Sequence, residues 1–306
     1  MLRSLLLAAS RSPWLAGQFR RRAFARRAVR RFMPGEEVSA ALDAAEALRK
    51  EGIGTVLTCL GERTTTAEEA LAVRDHYLAL YDAILARAVP THVSVKLTHL
   101  GLEVDRELCA ETLHLLAAHA EGTGSYLWID IEESEYVDAT LELYRELRAR
   151  HARVGVCLQA YLHRTPADVE ALLPLGPGIR LVKGAYREPP EVAHAKKRDT
   201  DAAFARLADR LLAEARPGGA FPVFGTHDET LIQRTRESAV RFGAPDGAYE
   251  VHMLYGIAEE TQRTLARGGV PVRVLISYGE NWFPWYMRRL AERPANLWFV
   301  VRNLFD

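Results

Sequence analysis

"THVSVKLTHL" (Thr91–Leu100) is a short apolar run that contains one lysine, and a helical pattern from Val104 to His119 follows it. The next apolar run, "SYLWIDIEE" (Ser125–Glu133), ends in acidic residues. A strand, a helix and a second strand in this order form a βαβ unit, whose two strands lie parallel in one sheet. This unit is the element from which we predict the fold.

The same unit recurs along the chain after Gly52. Six further apolar runs are followed by helical patterns, namely "GTVLTCLGE" (Gly54–Glu62), "RVGVCLQAY" (Arg153–Tyr161), "IRLVKGAY" (Ile179–Tyr186), "FPVFGTHD" (Phe221–Asp228), "AYEVHMLYG" (Ala248–Gly256) and "VPVRVLISYG" (Val270–Gly279). Eight strand–helix units in about 250 residues match the number and size of a (βα)8 TIM barrel. An open, doubly wound sheet is the alternative, but no strand is followed by the G-x-G-x-x-G turn that is typical of such sheets.

The composition excludes some classes of function. The 306 residues carry a formal net charge of zero, so the whole molecule offers no basic field for nucleic acid. Cys59, Cys109 and Cys157 form no C-x-x-C pair, and three cysteines do not make a disulfide framework. We therefore expect a reducing compartment and a cytoplasmic protein, either free or peripheral at the inner face of the membrane.

The first part of the chain differs from the rest. From Met1 to Phe32 arginines are frequent, and the first acidic residue is Glu36. Such a segment fits a transit peptide, a basic helix on an anionic membrane surface, or an amphipathic helix packed on the main domain. We predict an N-terminal helical arm over residues 1–50 and a catalytic barrel domain over residues 51–306, with no run long enough to span a membrane.

The active site of a TIM barrel lies at the carboxyl ends of its strands. The polar residues at these positions are Glu62, Lys96, Asp130, Glu132, Glu133, Gln159, Arg180, Lys183, Tyr186, Thr226, His227, His252 and Tyr278. Lys96 and Lys183 directly follow apolar strand residues, and a buried amine must be paired or have a depressed pKa. A set of Lys96, Asp130 and Arg180 would either neutralise itself or hold a zwitterionic substrate.

Other site classes find little support. His227 and His252 lack the neighbouring ligands of a zinc motif, so we predict no metal. Neither a G-x-S-x-G nucleophile turn nor a phosphate-binding P-loop is present.

Two adjacent arginines follow the eighth strand. Arg288 and Arg289 lie four and three positions before Glu292, so either can contact it on a helix. Arginine binds carboxylates in a bidentate manner, and this helix begins at the barrel mouth. The pair is therefore either a clamp for a substrate carboxylate or an ordinary surface salt-bridge helix.

The segments "VKLTHLG", "IDIEE", "LQAY", "RLVKGAY", "GTHD" and "YGENWFPWYMRRLAERPANLWFVVRN" together resemble the proline dehydrogenase family, in particular its short, monofunctional bacterial members. The resemblance runs from about Met33 to the end of the chain. It implies a distorted (βα)8 barrel that binds FAD. It also implies oxidation of L-proline to Δ1-pyrroline-5-carboxylate by hydride transfer to flavin N5, with electrons passing to a membrane quinone.

The resemblance also implies roles for particular residues. Asp130 and Arg180 form the catalytic pair, with Arg180 near flavin N5. The implied substrate residues are Lys96, Tyr186, Leu254, Tyr278, Tyr286, Arg288, Arg289 and Glu292. The implied cofactor residues are Ile131, Gln159, Arg180, Val182, Lys183, Gly184, Ala185, Thr226, His227 and His252.

His252 departs from the family pattern, in which a glutamine is expected, and this puts one flavin contact in question. The chain is too short for the aldehyde-oxidising domain of bifunctional relatives, so a separate pyrroline-5-carboxylate dehydrogenase is the expected partner. Two other functions are compatible with the residues alone. One is a Schiff-base aldolase that uses Lys183 or Lys96 as nucleophile. The other is a binding or scaffold protein without a cofactor.

Overall fold

Eight short strands close into a barrel in which every neighbouring pair is parallel. The computed structural model describes residues 29–283 and 285–287. The strands are β1 (Gly54–Cys59), β2 (Thr91–Val95), β3 (Leu127–Ile129), β4 (Val154–Gln159), β5 (Gly178–Val182), β6 (Phe221–Gly225), β7 (Glu250–Leu254) and β8 (Val272–Tyr278). Their order around the barrel is their order in the chain, which confirms the predicted TIM barrel and excludes the open sheet.

Pairing between the first and last strands closes the barrel. β1 and β8 are in register from Gly54 opposite Arg273 to Cys59 opposite Tyr278. The strands have no edge left to pair with another chain, as in any closed barrel.

Helices alternate with the strands and cover the outside of the barrel. They are α1 (Val38–Lys50), α2 (Ala67–Ala86), α3 (Arg106–Gly122), α4 (Val137–Arg148), α5 (Thr165–Leu172), α6 (Lys197–Leu212), α7 (Glu229–Phe242) and α8 (Glu259–Arg267). Several begin where a side chain caps the first turn: Thr66 accepts from the Glu69 amide before α2, and Asp228 accepts from the Leu231 amide before α7. Residues 282–283 and 285–287, after β8, are also helical.

The two faces of a strand pack against different side chains. On β8, Val274, Ile276 and Tyr278 face outward into the main core under the helices, whereas Leu275 packs inside with Trp128. Because side chains alternate along a strand, residues two positions apart share a face. The barrel interior also holds polar side chains, since Arg180 and His252 pack against Trp128.

The segment before the barrel is packed against it. Helix α1 buries Ala41, Leu42 and Ala45 in the main core. The division into an arm over residues 1–50 and a domain over residues 51–306 stays a prediction.

Residues 29–36, which we call the N-terminal strap, contact the helical residues that follow β8. The Phe32 ring lies 6.1 Å from that of Tyr286, and Glu36 accepts a 2.9 Å hydrogen bond from Nε1 of Trp282. A Cβ atom added at Gly256 would lie 1.6 Å from the Arg31 carbonyl oxygen, so the strap backbone rests directly on the loop after β7. No helix within residues 29–283 and 285–287 combines the length and apolar character needed to cross a bilayer.

Candidate active site

Three side chains from β2, β3 and β5 meet inside the barrel and form its buried polar centre. Arg180 on β5 is ion-paired with Asp130, which follows β3, and its Nη2 also donates to the Ser94 hydroxyl on β2 at 2.9 Å. The Ser94 hydroxyl in turn donates to Asp130 Oδ1 at 2.9 Å. We call these three residues the Arg180 cluster. They bring together the predicted Asp130, directly after β3, and the predicted Arg180, which is the third of the five residues of β5.

Arg180 is deeply buried, with 4% of its surface exposed. Its guanidinium carbon lies 5.1 Å from the centre of the Trp128 ring, which provides a cation–π contact. Nη1 of Arg180 is buried and has no hydrogen-bond partner in the part of the chain that the structure describes. Buried polar atoms are nearly always satisfied, so this nitrogen is a candidate donor to a bound molecule.

His252 on β7 belongs to a second polar group inside the barrel. Its Nε2 lies 3.0 Å from Glu250 Oε2, and Arg273 on β8 donates to the same carboxylate at 2.8 Å. Burial lowers the pKa of His252 to about 4, and the hydrogen bond to Glu250 only partly offsets this. Burial acts to raise the pKa of Glu250, but His252 and Arg273 outweigh it and hold that pKa at about 2.

The tautomer of His252 follows from these values. At neutral pH the Glu250 carboxylate is charged and only accepts hydrogen bonds, so His252 is neutral with its proton on Nε2. Nδ1 is then an acceptor, and within the described residues it is buried without a partner. The ring meets Trp128 edge-on at 5.6 Å, so His252 and Arg180 pack against the same indole.

Lys96 lies directly after β2 and is not a free amine. Its Nζ is 3.0 Å from Glu62 Oε1, and its side chain is 14% exposed. Of the two alternatives predicted for a buried amine, Lys96 therefore shows pairing. The pair joins the loops that follow β1 and β2.

Glu132 is a buried carboxylate beside this pair. It accepts from the Thr98 amide at 3.1 Å and from the Thr98 hydroxyl at 2.6 Å. Burial raises the pKa of Glu132 to about 7, against the lowering effects of the Thr98 hydroxyl and of Lys96. Thr98 also binds the Arg63 amide through its hydroxyl at 3.2 Å, so Glu132 helps to fasten three loops of the mouth.

Lys183, after β5, lies in a cluster of two lysines and two aspartates. Its Nζ is 2.7 Å from Asp228 Oδ2 and 2.6 Å from Asp201 Oδ1, and Lys197 pairs with the same two carboxylates. The hydrogen bond from Lys183 lowers the pKa of Asp228. The four charges balance, and the cluster joins the start of α6 to the start of α7.

Gln159, at the end of β4, is buried and bonded on both sides of its amide. Its Nε2 donates to the Glu132 carbonyl at 3.0 Å, and its Oε1 accepts from the Ala185 amide at 3.3 Å. The side chain therefore connects the chain after β3 with the segment after β5. Two predicted apolar residues lie close in sequence to the Arg180 cluster. Ile131 directly follows Asp130 and is buried, and Val182 lies two positions after Arg180.

Thr226 and His227 follow β6. The Thr226 hydroxyl accepts from the Asp228 amide at 3.1 Å. His227 Nε2 lies 2.8 Å from the amide nitrogen of Leu254, which can only donate. His227 is therefore unprotonated at Nε2, and its N–H, when the ring is neutral, is on Nδ1.

Two predicted substrate residues lie apart from the Arg180 cluster. Tyr278 is fully buried on the outer face of β8, where its hydroxyl lies 2.9 Å from Nε2 of His76 on α2. Tyr286 packs between Phe32 and Trp282, and its hydroxyl has no hydrogen-bond partner among the described residues. Their roles in substrate binding stay predictions. Arg288, Arg289 and Glu292 lie outside the described residues.

Four residues of the site were not predicted from the sequence, namely Ser94, Trp128, Glu250 and Arg273. Each lies two positions from a recognised residue or pairs with one: Ser94 precedes Lys96, Trp128 precedes Asp130, and Glu250 precedes His252. The period-two alternation of strands was the available signal. It identifies the shared face but not the hydrogen-bond partner.

Other features of the described residues do not form a second centre. Within residues 29–283 and 285–287, no group of three or more His, Cys, Asp or Glu side chains is arranged to hold a metal ion. A cleft of about 480 Å³ lies outside the barrel between α5 and α6, lined in part by Leu162, His163, His194 and Arg206. It contains none of the predicted site residues.

The comparisons with known proteins all point to one family. The family model described as "Proline dehydrogenase" matches residues 41–302. Proline dehydrogenase 1 of Bacillus subtilis (strain 168) is 33% identical over 304 residues, which cover 99% of each chain. The proline dehydrogenase of Deinococcus radiodurans is 36% identical over 281 residues, covering 90% of this chain and 89% of the relative.

A solved structure supports the fold. The crystal structure of proline utilization A from Bdellovibrio bacteriovorus superimposes with a TM-score of 0.81 at 24% sequence identity. The match covers 88% of this chain and 33% of that protein, so the present chain spans about a third of the longer one.

Proposed function

The chain belongs to the proline dehydrogenase family, and on that premise we propose that it oxidises L-proline to Δ1-pyrroline-5-carboxylate with bound FAD and passes the electrons to a membrane quinone. The observation that carries the proposal is the buried Arg180 cluster at the barrel mouth, whose guanidinium has one nitrogen without a partner among the described residues.

The polar residues of the mouth fit a large polar cofactor. Arg180 offers an unpartnered donor, and His252 offers an unpartnered acceptor against the same tryptophan. The residues that would hold FAD are Ile131, Gln159, Arg180, Val182, Lys183, Gly184, Ala185, Thr226, His227 and His252. FAD, when bound, would accept the two electrons that are released when the carbon–nitrogen bond of proline is oxidised. Amino-acid side chains do not supply such an acceptor.

The chain's own residues would bind and orient the substrate. The proline carboxylate needs cations, and we assign this role to Lys96, Arg288 and Arg289, with Glu292 paired to the arginines and Tyr186, Leu254, Tyr278 and Tyr286 completing the pocket. Lys96 already contacts Glu62 at 3.0 Å, so it would bind a carboxylate by sharing or releasing that partner. The Glu62 contact thus orients the amine before the substrate arrives.

Asp130 is proposed to act within the ionic network rather than as a general base. Its Oδ1 accepts from Ser94 and is ion-paired with Arg180. Both partners engage the same carboxylate oxygen, so Asp130 is tied into this network. The substrate amine would therefore lose its proton to solvent or on binding.

The Schiff-base alternative has less support. Imine formation needs an amine that is free to attack a carbonyl. Lys183 lies between Asp228 and Asp201, and Lys96 contacts Glu62. Both lysines are thus held by carboxylates rather than poised as nucleophiles.

Quinone reduction requires contact with a membrane. We propose a peripheral attachment at the inner face, for which the arginine-rich residues before the N-terminal strap supply the basic charge. A separate pyrroline-5-carboxylate dehydrogenase would consume the product. Sedimentation with vesicles of anionic or neutral lipids tests the attachment, and equal binding to both would contradict it.

The test of the main proposal is an absorbance spectrum of the purified protein. We expect flavin bands that L-proline bleaches in the absence of oxygen and that a soluble quinone restores. A colourless protein that borohydride links covalently to a carbonyl substrate would favour the aldolase instead. Flavin bands that proline leaves unchanged would overturn the substrate but not the cofactor.

A further inference from the structure

The connection between β5 and α6 begins with three residues proposed to contact the cofactor, followed by Tyr186, which is proposed to contact the substrate. Lys183, Gly184, Ala185 and Tyr186 follow one another directly. Tyr186 is half-buried, and the chain leaves the barrel at this point. The position of Tyr186 therefore depends on whatever fastens this segment.

Glu188 fastens the segment on the side of β3. Its Oε1 accepts from the Ser134 amide and its Oε2 accepts from the Ser134 hydroxyl, each at 2.7 Å. The two residues are 54 positions apart and lie on different loops of the mouth. A carboxylate bound through both oxygens is fixed in orientation as well as in position.

Tyr161 fastens the same segment on the side of β4. Its hydroxyl donates to the Tyr186 carbonyl at 3.4 Å, and its amide donates to the Lys183 carbonyl at 2.9 Å. Gly184 has a φ of +124°, and a Cβ atom there would lie 2.3 Å from the Tyr161 ring. Tyr186 thus stands between two anchors.

The two anchors differ in kind. Tyr161 is buried, with 8% of its surface exposed, and it combines packing with its two hydrogen bonds. Glu188 and Ser134 are only half-buried, and among the described residues Glu188 makes no ion pair. Two neutral donors compensate its charge, so this contact is the one that water can replace most readily.

We propose that Ser134 and Glu188 are positioning residues that form a latch and set the place of Tyr186 over the bound substrate. The inference rests on the proposed function, in which Tyr186 contacts proline. A closed latch orders the loop in advance, which lowers the entropic cost of binding. Neither residue touches the reacting atoms, so the latch acts on substrate affinity rather than on the chemical step.

The test compares Ser134→Ala, Glu188→Ala, the double variant and Glu191→Ala, a matched control at an exposed position of the same loop. We expect KM for proline to rise about 10-fold in Glu188→Ala and less in Ser134→Ala, with kcat within about 3-fold of the parent. The double variant should equal Glu188→Ala, because Ser134→Ala removes only one of the two hydrogen bonds that Glu188→Ala already removes. Glu191→Ala should behave as the parent.

Two further readouts separate positioning from general stability. FAD content and melting temperature should not change, and a saturated cyclic carboxylate without an oxidisable nitrogen should perturb the flavin spectrum with a Kd raised by the same factor. Equal kinetics for Glu188→Ala and Glu191→Ala would overturn the latch, as would additive effects in the double variant. Failure of the parent protein to be bleached by proline would instead overturn the proposed function.

Discussion

The Glu250 carboxylate lies 3.0 Å from Nε2 of His252, and this contact places the proton of the imidazole, which burial keeps neutral, on Nε2. The resemblance leads us to expect glutamine at position 252, and glutamine is also neutral and also offers a donor and an acceptor. The histidine therefore preserves the hydrogen-bonding character of the site only while its ring stays uncharged. This condition has a measurable pH dependence.

We expect His252→Gln to flatten the pH dependence of stability between about pH 4 and 6.5. His252 has a folded pKa of about 4, below the ordinary 6.5, so the unfolded chain binds one more proton in this window and stability is lost as pH falls. Removing the group should lower the slope of the free energy of unfolding by about 1.4 kcal/mol per pH unit. Urea unfolding at several pH values measures it, with His194→Gln as the control. An unchanged slope would contradict the buried neutral ring.

Glu132→Gln should act in the opposite direction. The pKa of Glu132 is raised from 4.5 to about 7, so its stabilising contribution is complete below pH 4.5 and is lost as pH rises through 7. The variant should match the parent near pH 4.5 and exceed its free energy of unfolding by about 2–3 kcal/mol at pH 8. A variant less stable than the parent at pH 8 would mean that the charged carboxylate stabilises the Thr98 contacts.

Asp130→Asn should destabilise the protein more than Ser94→Ala. The first change leaves the buried Arg180 without its counter-ion, at a cost of about 3–5 kcal/mol. The second removes two hydrogen bonds but keeps the ion pair, at a cost of about 1–3 kcal/mol. Denaturant titrations give the order.

Separately, an Asp130→Ala variant with unchanged kcat/KM and pH profile would exclude both a network and a base role in catalysis.

Gly256→Ala should detach the N-terminal strap. A methyl group there would lie 1.6 Å from the Arg31 carbonyl oxygen, in addition to the strain of a φ of +69°. Gly247→Ala is the matched control, since Gly247 has a φ of +77° and no atom within 4 Å of an added Cβ. We expect about 1 kcal/mol of lost stability for the control and clearly more for Gly256→Ala, with faster proteolysis near residue 31. Equal losses would show that the strap adapts.

Arg288→Met or Arg289→Met should raise KM for proline while FAD stays bound. Each arginine is proposed to hold the substrate carboxylate, and a hydrogen bond between charged groups accounts for about 1.5–3 kcal/mol, or about 10- to 100-fold in affinity. Steady-state kinetics and the flavin-to-protein ratio give the two quantities. Loss of flavin with an unchanged KM would place these side chains at the cofactor instead.

The fold was predictable because its signal is local. Each strand is a short apolar run and each helix has its own period, so eight repeats identify the barrel without knowledge of any contact. The residues at the strand ends followed from the rule that βα loops share one face. Arg180 and Asp130 were found together for this reason.

Contacts between distant residues were not predictable in the same way. Ser94 looks like an ordinary strand residue until barrel closure brings β2, β3 and β5 around one interior, and Glu188 gives no sign that Ser134 is its partner. Tyr278 is different, because it shares the outward face of Val274 and Ile276, and alternation alone points its ring toward the helices. Its role in the substrate pocket stays a prediction.

Closure of the barrel between β1 and β8 has a consequence for biosynthesis. β1 finds its second neighbour only in residues roughly 200 positions later in the chain. At about 5–20 residues per second, the open edge of Gly54–Cys59 waits about 10–40 s on the ribosome before β8 emerges. During that time the open edge can pair with another nascent chain. Temperature and chaperone supply should therefore affect the yield of folded protein more strongly than they affect the stability of the protein once it has folded.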